Sequence, residues 1–156
     1  MASRQLFDLS GIDLQAVAID ADEVARINPQ CGDMRQLDHV IWRSDDATQM
    51  LGVKAVSTDE FWVPLHIPGR PLMPGVLMIE AAAQLCSVQY SIRSSTDRFV
   101  GFTRCEATFR GQVVPGDTLH LLSEEIVYSP RRMKSSAQGV VNGKMIFEAN
   151  ITGMVL

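Results

Sequence analysis

An α+β protein, a curved antiparallel sheet wrapped around one long central helix, is what this sequence predicts. Three observations carry it. Residues 76–88 form an almost continuous apolar run opened by Pro74-Gly75; the chain after Asp97 is a series of β-type runs separated by turn residues; and Asn142-Gly143 lies between two of those runs. A helix apolar on every side belongs in a core, and Asn-Gly between alternating runs is the strongest short hairpin signal.

Residues 1–19 read as an N-terminal extension in which Leu6, Leu9, Ile12, Leu14 and Val17 can pack against something larger. Asp20 followed by Glu23 is an N-terminal helix signal, and the short helix ends before Asn28-Pro29 because a residue preceding proline leaves helical geometry. Gln36–Arg43 and Gln49–Ser57 read as two strands joined by the turn Ser44-Asp45-Asp46. Pro64, Pro68, Pro71 and Pro74 then exclude helix from the loop ahead of the apolar run. Beyond it, Phe99–Thr108 is a strand that Phe109–Val114 continues or restarts, ending at Pro115-Gly116-Asp117. Thr118–Tyr128 is the next, with a phase slip at Glu124-Glu125 that suggests a bulge. Met133–Val141 and Lys144–Val155 form the last hairpin.

At 156 residues, with neither repeats nor a composition shift, one domain spanning 1–156 is expected. The net charge of −4 argues against nucleic acid as a general partner. Glu80 and Gln84 make the apolar helix too polar to enter a membrane, and the N-terminus lacks an export pattern, so the cytoplasm is the expected location. Cys31, Cys86 and Cys105 are scattered without metal-ligand spacing, which predicts reduced thiols and no metal site.

The chemistry gathers between His66 and Gln84. Glu80 is a single carboxyl in the apolar helix, with Gln84 one turn on, and a buried carboxylate is costly unless it has a partner. A carboxyl in apolar surroundings is also a candidate proton donor. Gly75 opens the helix, where backbone N–H groups lack intrahelical acceptors, and His66 comes from the proline loop. An imidazole base, a carboxyl acid and free amides together suit proton abstraction next to a carbonyl with loss of a β-hydroxyl, and need no cofactor. Each residue also has a plainer reading: His66 as a loop-packing histidine, Gly75 as a helix-start glycine, His39 and His120 as solvent-facing strand residues, Cys86 as core.

The run His66-Ile-Pro-Gly-Arg-Pro71-Leu-Met73-Pro74-Gly75-Val76-Leu77, followed by Glu80-Ala-Ala-Ala-Gln84, resembles the signature of the β-hydroxyacyl-carrier-protein dehydratases of type II fatty acid synthesis. Phe109–Leu119 and Val141–Lys144 resemble that family's later motifs, and the likeness covers about residues 20–155. The resemblance implies a hotdog fold, catalytic His66 and Glu80, a Gly75 N–H that polarises the thioester carbonyl, and a supporting Gln84. It also implies a substrate carried on the phosphopantetheine of acyl carrier protein, and a site built between the chains of a homodimer, with a trimer of dimers as the larger assembly. The chain departs from the pattern at Leu65, where a glycine is usual, and at Gln30 and Cys31, where a His-Arg pair is expected, followed by Gly32, Asp33 and Met34. An acidic carrier needs cations: Arg131, Arg132 and Lys134 are the densest cluster, with Arg70, Arg93 and Arg98 as further candidates. The alternatives are a hotdog acyl thioesterase and a non-catalytic acyl-binding subunit.

Overall fold

The computed structural model describes residues 3–156. Helix α1 (Ala21–Ile27) and a 3₁₀ turn (Gly32–Met34) lead to strands β1 (His39–Arg43) and β2 (Gln49–Ala55), then the long helix α2 (Gly75–Ser94), then β3 (Val100–Phe109), β4 (Thr118–Ser129), β5 (Arg132–Val141) and β6 (Lys144–Val155). The strands form one antiparallel sheet in the order β1-β2-β4-β5-β6-β3. It curls around α2, which packs against β2, β3, β4, β5 and β6.

Local signals explain most boundaries. Asp20 caps α1, its Oδ1 accepting from the Glu23 N–H at 2.9 Å, and Asn28 ends the helix in extended geometry. Asn142 and Gly143 adopt φ of 50° and 75°, the doubly positive turn that a two-residue hairpin requires. The phase slip in β4 is a bulge, located between Glu125 and Val127 against β5. Two expected strand segments are not strand. Residues 36–38 precede β1, with Gln36 and Leu37 pinned to Gln84 of α2 and Asp38 N–H donating to Val53 O of β2. Arg110–Val114 is loop, where Arg110 and Gly111 both donate to Ile146 O before the chain turns away.

The sheet buries apolar side chains on both faces. The inner face and α2 form the main core, with Leu37, Leu85, Leu119, Leu121, Phe147 and Ile151 almost fully enclosed. On the outer face, Ile41, Leu51, Val53, Leu122 and Val140 form a second cluster covered by Leu6, Phe7, Leu9, Ile12 and Trp42. The N-terminal extension is thus a strap over the outer sheet. It is tied by Leu6 N–H to Gln138 Oε1 at 2.9 Å and by Gln138 Nε2 to Arg4 O at 2.9 Å. Leu14 and Val17 stay exposed rather than joining it. The strap reaches the sheet edge at Ile19, which bridges Val40 and so occupies the outer edge of β1. The other edge strand, β3, presents exposed Phe102 and Phe109.

Candidate active site

His66 sits on a loop that the sequence holds in place from several sides. Trp62, 1% exposed, plugs the loop into the core, and the His66 N–H donates to Trp62 O at 2.8 Å. Lys54 on β2 reaches Glu60 at 2.8 Å, with side chains only 8% and 11% exposed. A buried pair of this kind is strongly sensitive to loss of one partner, so it ties the loop's first turn to the sheet. The loop's far end is fixed by Met73 N–H to Val113 O at 2.9 Å. Sequence reasoning missed this anchor, although a lysine inside the apolar strand QMLGVKAV is a visible anomaly.

The ring of His66 is exposed, and its Nδ1 lies 2.9 Å from Leu72 O. A carbonyl oxygen only accepts, so Nδ1 carries the hydrogen and the neutral ring keeps its lone pair on Nε2. The backbone therefore selects the tautomer that leaves Nε2 as a base.

Glu80 is half-buried rather than fully enclosed, because α2 is covered by the sheet on one side and opens toward β3 on the other. Its Oε1 accepts from Gln84 Nε2 at 2.8 Å. Gln84 itself is 1% exposed and saturated: its Oε1 takes the N–H groups of Gln36 and Leu37 at 2.9 and 3.1 Å, and its Nε2 also donates to Met34 O at 2.7 Å. Asn28 Nδ2 adds a bond to the backbone oxygen of the same residue at 3.0 Å. Two backbone amides thus dictate which way the Gln84 amide points, and its donor end must face Glu80. Glu80, Gln84 and Gln30 line a small cavity of about 80 Å³ between α2 and the start of β3, closed by Cys86, Phe99, Phe102 and Met133.

Gly75 begins α2, so its N–H and that of Val76 have no acceptor within the helix. The glycine also has a packing reason. A Cβ there would lie 2.8 and 2.9 Å from the ring of Phe109 at the end of β3. His66 and Gly75 are not among the residues lining the Glu80 cavity. Within one chain, Gly75 stands beside the end of β3 and Glu80 beside its beginning.

The candidate cations are dispersed. Arg131 lies in the β4–β5 turn, and Arg132 and Lys134 alternate with inward-facing Met133 and Ser135, which puts both on the outer face, away from the Glu80 cavity. Arg93 stacks over Tyr128 at 4.9 Å and meets Glu125 at 3.5 Å. Arg70 is exposed on the proline loop, and Arg98 borders a groove with Ser87 and Phe99 that adjoins the Glu80 cavity. His39 and His120 are half-buried, not solvent-facing as expected. His120 pairs across the sheet with Val53 and Val140 of the outer cluster, and burial lowers its pKa. Cys86 is core, its thiol pushed up to about 12 by burial, which leaves it unreactive.

One helix gripped by a curled antiparallel sheet is the hotdog fold, and solved structures agree. A dehydratase heterocomplex from Xenorhabdus doucetiae superposes with a TM-score of 0.73 at 17% identity, covering 85% of this chain and 90% of that one. A sigma28-regulated virulence protein from Campylobacter jejuni gives 0.69 at 15%, covering 93% and 96%. The sequence goes further: the model of the FabA-like domain matches residues 28–150, and the chain belongs to that family. Among curated relatives, the 3-hydroxyacyl-[acyl-carrier-protein] dehydratase FabZ of Protochlamydia amoebophila is 32% identical over 135 residues, 86% of this chain and 88% of that protein. The dehydratase of the same name from Desulforamulus reducens is 33% identical, covering 85% and 94%, and that of Rickettsia akari is 34% identical, covering 88% and 96%.

Proposed function

We propose that this protein dehydrates a (3R)-3-hydroxyacyl thioester carried on acyl carrier protein to the trans-2-enoyl thioester, as a cytoplasmic enzyme of fatty acid or lipid synthesis. The observation that carries the reading is the hydrogen bond from His66 Nδ1 to Leu72 O, which leaves Nε2 as a base on the exposed loop that leads into the free amides at the start of α2. In this reading Nε2 removes the proton next to the thioester carbonyl, and the Gly75 N–H takes the charge that develops on the carbonyl oxygen. Glu80, steadied at Oε1 by Gln84, delivers a proton to the 3-hydroxyl, the C–O bond breaks, and water leaves. His66 ends protonated and Glu80 ionised, and exchange with solvent restores both. The substrate brings the pantetheine arm and the enzyme supplies no cofactor.

A homodimer completes the site. β3 is an edge strand, and Phe102, Phe109, Val76 and Leu65 are exposed near it or near the start of α2. An uncovered edge strand invites pairing with a second copy. If two β3 strands pair antiparallel across a two-fold axis, the end of one, with its His66 and Gly75, meets the beginning of the other, with its Glu80. A trimer of such dimers is the larger assembly. For carrier docking, Arg98 borders a groove that adjoins the cavity, and Arg131, Arg132, Lys134 and Arg70 are further cations on the surface.

The test is enoyl absorbance with 3-hydroxyacyl thioesters. His66→Ala and Glu80→Gln are each expected to lose about 10²–10⁴ in turnover; full activity in both would remove the assignment.

A further inference from the structure

Gln30 lines the Glu80 cavity and has no role in the chemistry so far described. Its Oε1 is buried and has no hydrogen-bond partner among the described residues, and the residue lines the same small cavity as Glu80 and Gln84. A buried carbonyl oxygen without a donor is costly, and here the backbone around it is rigidly placed. Asn28 and Met34, on either side of Gln30, are both bonded to Gln84, and Gln36 and Leu37 donate to the same side chain. Gln36 Nε2 further closes on Asp33 O at 2.7 Å. The 28–37 segment is thereby clasped to the helix turn that carries Glu80, so the distance between Gln30 and the acid is set by the fold. Of the other polar side chains lining the cavity, Gln84 is fully engaged and Glu80 is engaged at one oxygen, while Ser87 and Thr152 contribute hydroxyls. Among them, Gln30 Oε1 is the buried oxygen that lacks a donor among the described residues.

We infer that the Gln30 side-chain carbonyl accepts a hydrogen bond from the 3-hydroxyl of the substrate, an inference that rests on the dehydratase reading of the same cavity. A hydroxyl has one donor and two lone pairs. When its hydrogen is held by Gln30, a lone pair turns toward Glu80, where the proton must arrive. As the C–O bond breaks and the oxygen takes that proton, its original O–H becomes a stronger donor, so the contact tightens on the way to water. The glutamine selects acyl chains that carry a hydroxyl over saturated chains of the same length. It stands where the family resemblance expects a histidine, which makes the contact a feature of this chain's own rim.

Binding separates the inference from the reaction. In a His66→Ala background, the affinities for 3-hydroxybutyryl- and butyryl-pantetheine are measured by calorimetry with and without Gln30→Met, which keeps the side chain's length and removes its acceptor. The expected result is a loss of roughly fivefold for the hydroxylated thioester, the effect of one neutral hydrogen bond, with butyryl binding unchanged. Equal weakening of both ligands, or no change in either, overturns the inference. A second variant, Gln30→His, restores a ring-nitrogen acceptor and is expected to recover the preference for the hydroxylated ligand. If the unsubstituted protein forms no enoyl product, the dehydratase reading falls, while the ratio of the two affinities still decides whether Gln30 reads the hydroxyl.

Discussion

Gln84→Met tests how tightly fold and site are joined. The substitution keeps the volume and helix propensity but deletes the side-chain oxygen that receives Gln36 N–H and Leu37 N–H, at 2.9 and 3.1 Å. Both groups are buried, and a buried donor left unpaired costs about 1–3 kcal/mol. The bond from Asn28 to the Gln84 backbone oxygen survives, which keeps the segment near its place, and the two unpaired donors together cost about 2–6 kcal/mol. For a chain of this size that lowers the melting temperature by roughly 5–25 °C. Urea unfolding followed by circular dichroism at fixed protein concentration reads the change, and enoyl formation at low temperature, where the variant is folded, reads the chemistry. Turnover is expected to fall about tenfold, because Glu80 loses the N–H that fixes one of its oxygens. Gln89→Met is the control. That residue is equally buried on the same helix, makes one bond to Ala47 O at 3.1 Å and leaves its own oxygen unpaired, so it costs about 1 kcal/mol and no activity. Equal effects of the two substitutions on stability, or an unmoved midpoint in Gln84→Met, would refute the reasoning.

Gly75→Ala places a methyl group against the Phe109 ring and is expected to cost about 1–3 kcal/mol; pairing it with Phe109→Ala should recover much of that loss in thermal melts, leaving any remaining defect in turnover to the backbone amide. His120 supplies a pH dependence. Burial depresses its pKa below the ordinary 6.5, so as pH falls the unfolded chain takes up the proton first, and stability present above about pH 6.5 is lost progressively below it. His120→Asn is expected to flatten that part of a stability–pH curve measured by urea unfolding; an unchanged slope would show that the imidazole is not the cause.

Much of this molecule is legible in its sequence where local rules act alone. Asn142-Gly143 requires positive φ twice, Asp20 needs only a neighbouring N–H, and Pro74-Gly75 can begin a helix but not continue one, so these features stand where the residues indicate. The misreadings share a different cause: they depend on what the rest of the chain covers. Arg110–Val114 has strand-like composition but leaves the sheet after its N–H groups turn to Ile146 O. His120 alternates as a solvent-facing residue would, yet the outer face it occupies carries an apolar cluster beneath the N-terminal strap. Glu80 looks enclosed because its helix is apolar all round, but the sheet wraps α2 incompletely and leaves that side open. His66, Gly75 and Glu80 stand out by type and spacing, and the family resemblance implies a site shared between chains. That Gly75 packs on Phe109 at the end of β3 while Glu80 lines a cavity at its beginning is not legible, since it follows from the course of the edge strand β3 along α2.

The central claim is that the base of one chain works with the acid of another. His66→Ala and Glu80→Gln chains, each inactive alone, can be mixed, unfolded and refolded together to exchange partners. A site shared across the dimer gives mixed pairs with one intact site, and about a quarter of the unsubstituted activity should return. Return of no activity, from a preparation shown by mass spectrometry to contain mixed dimers, would contradict the account.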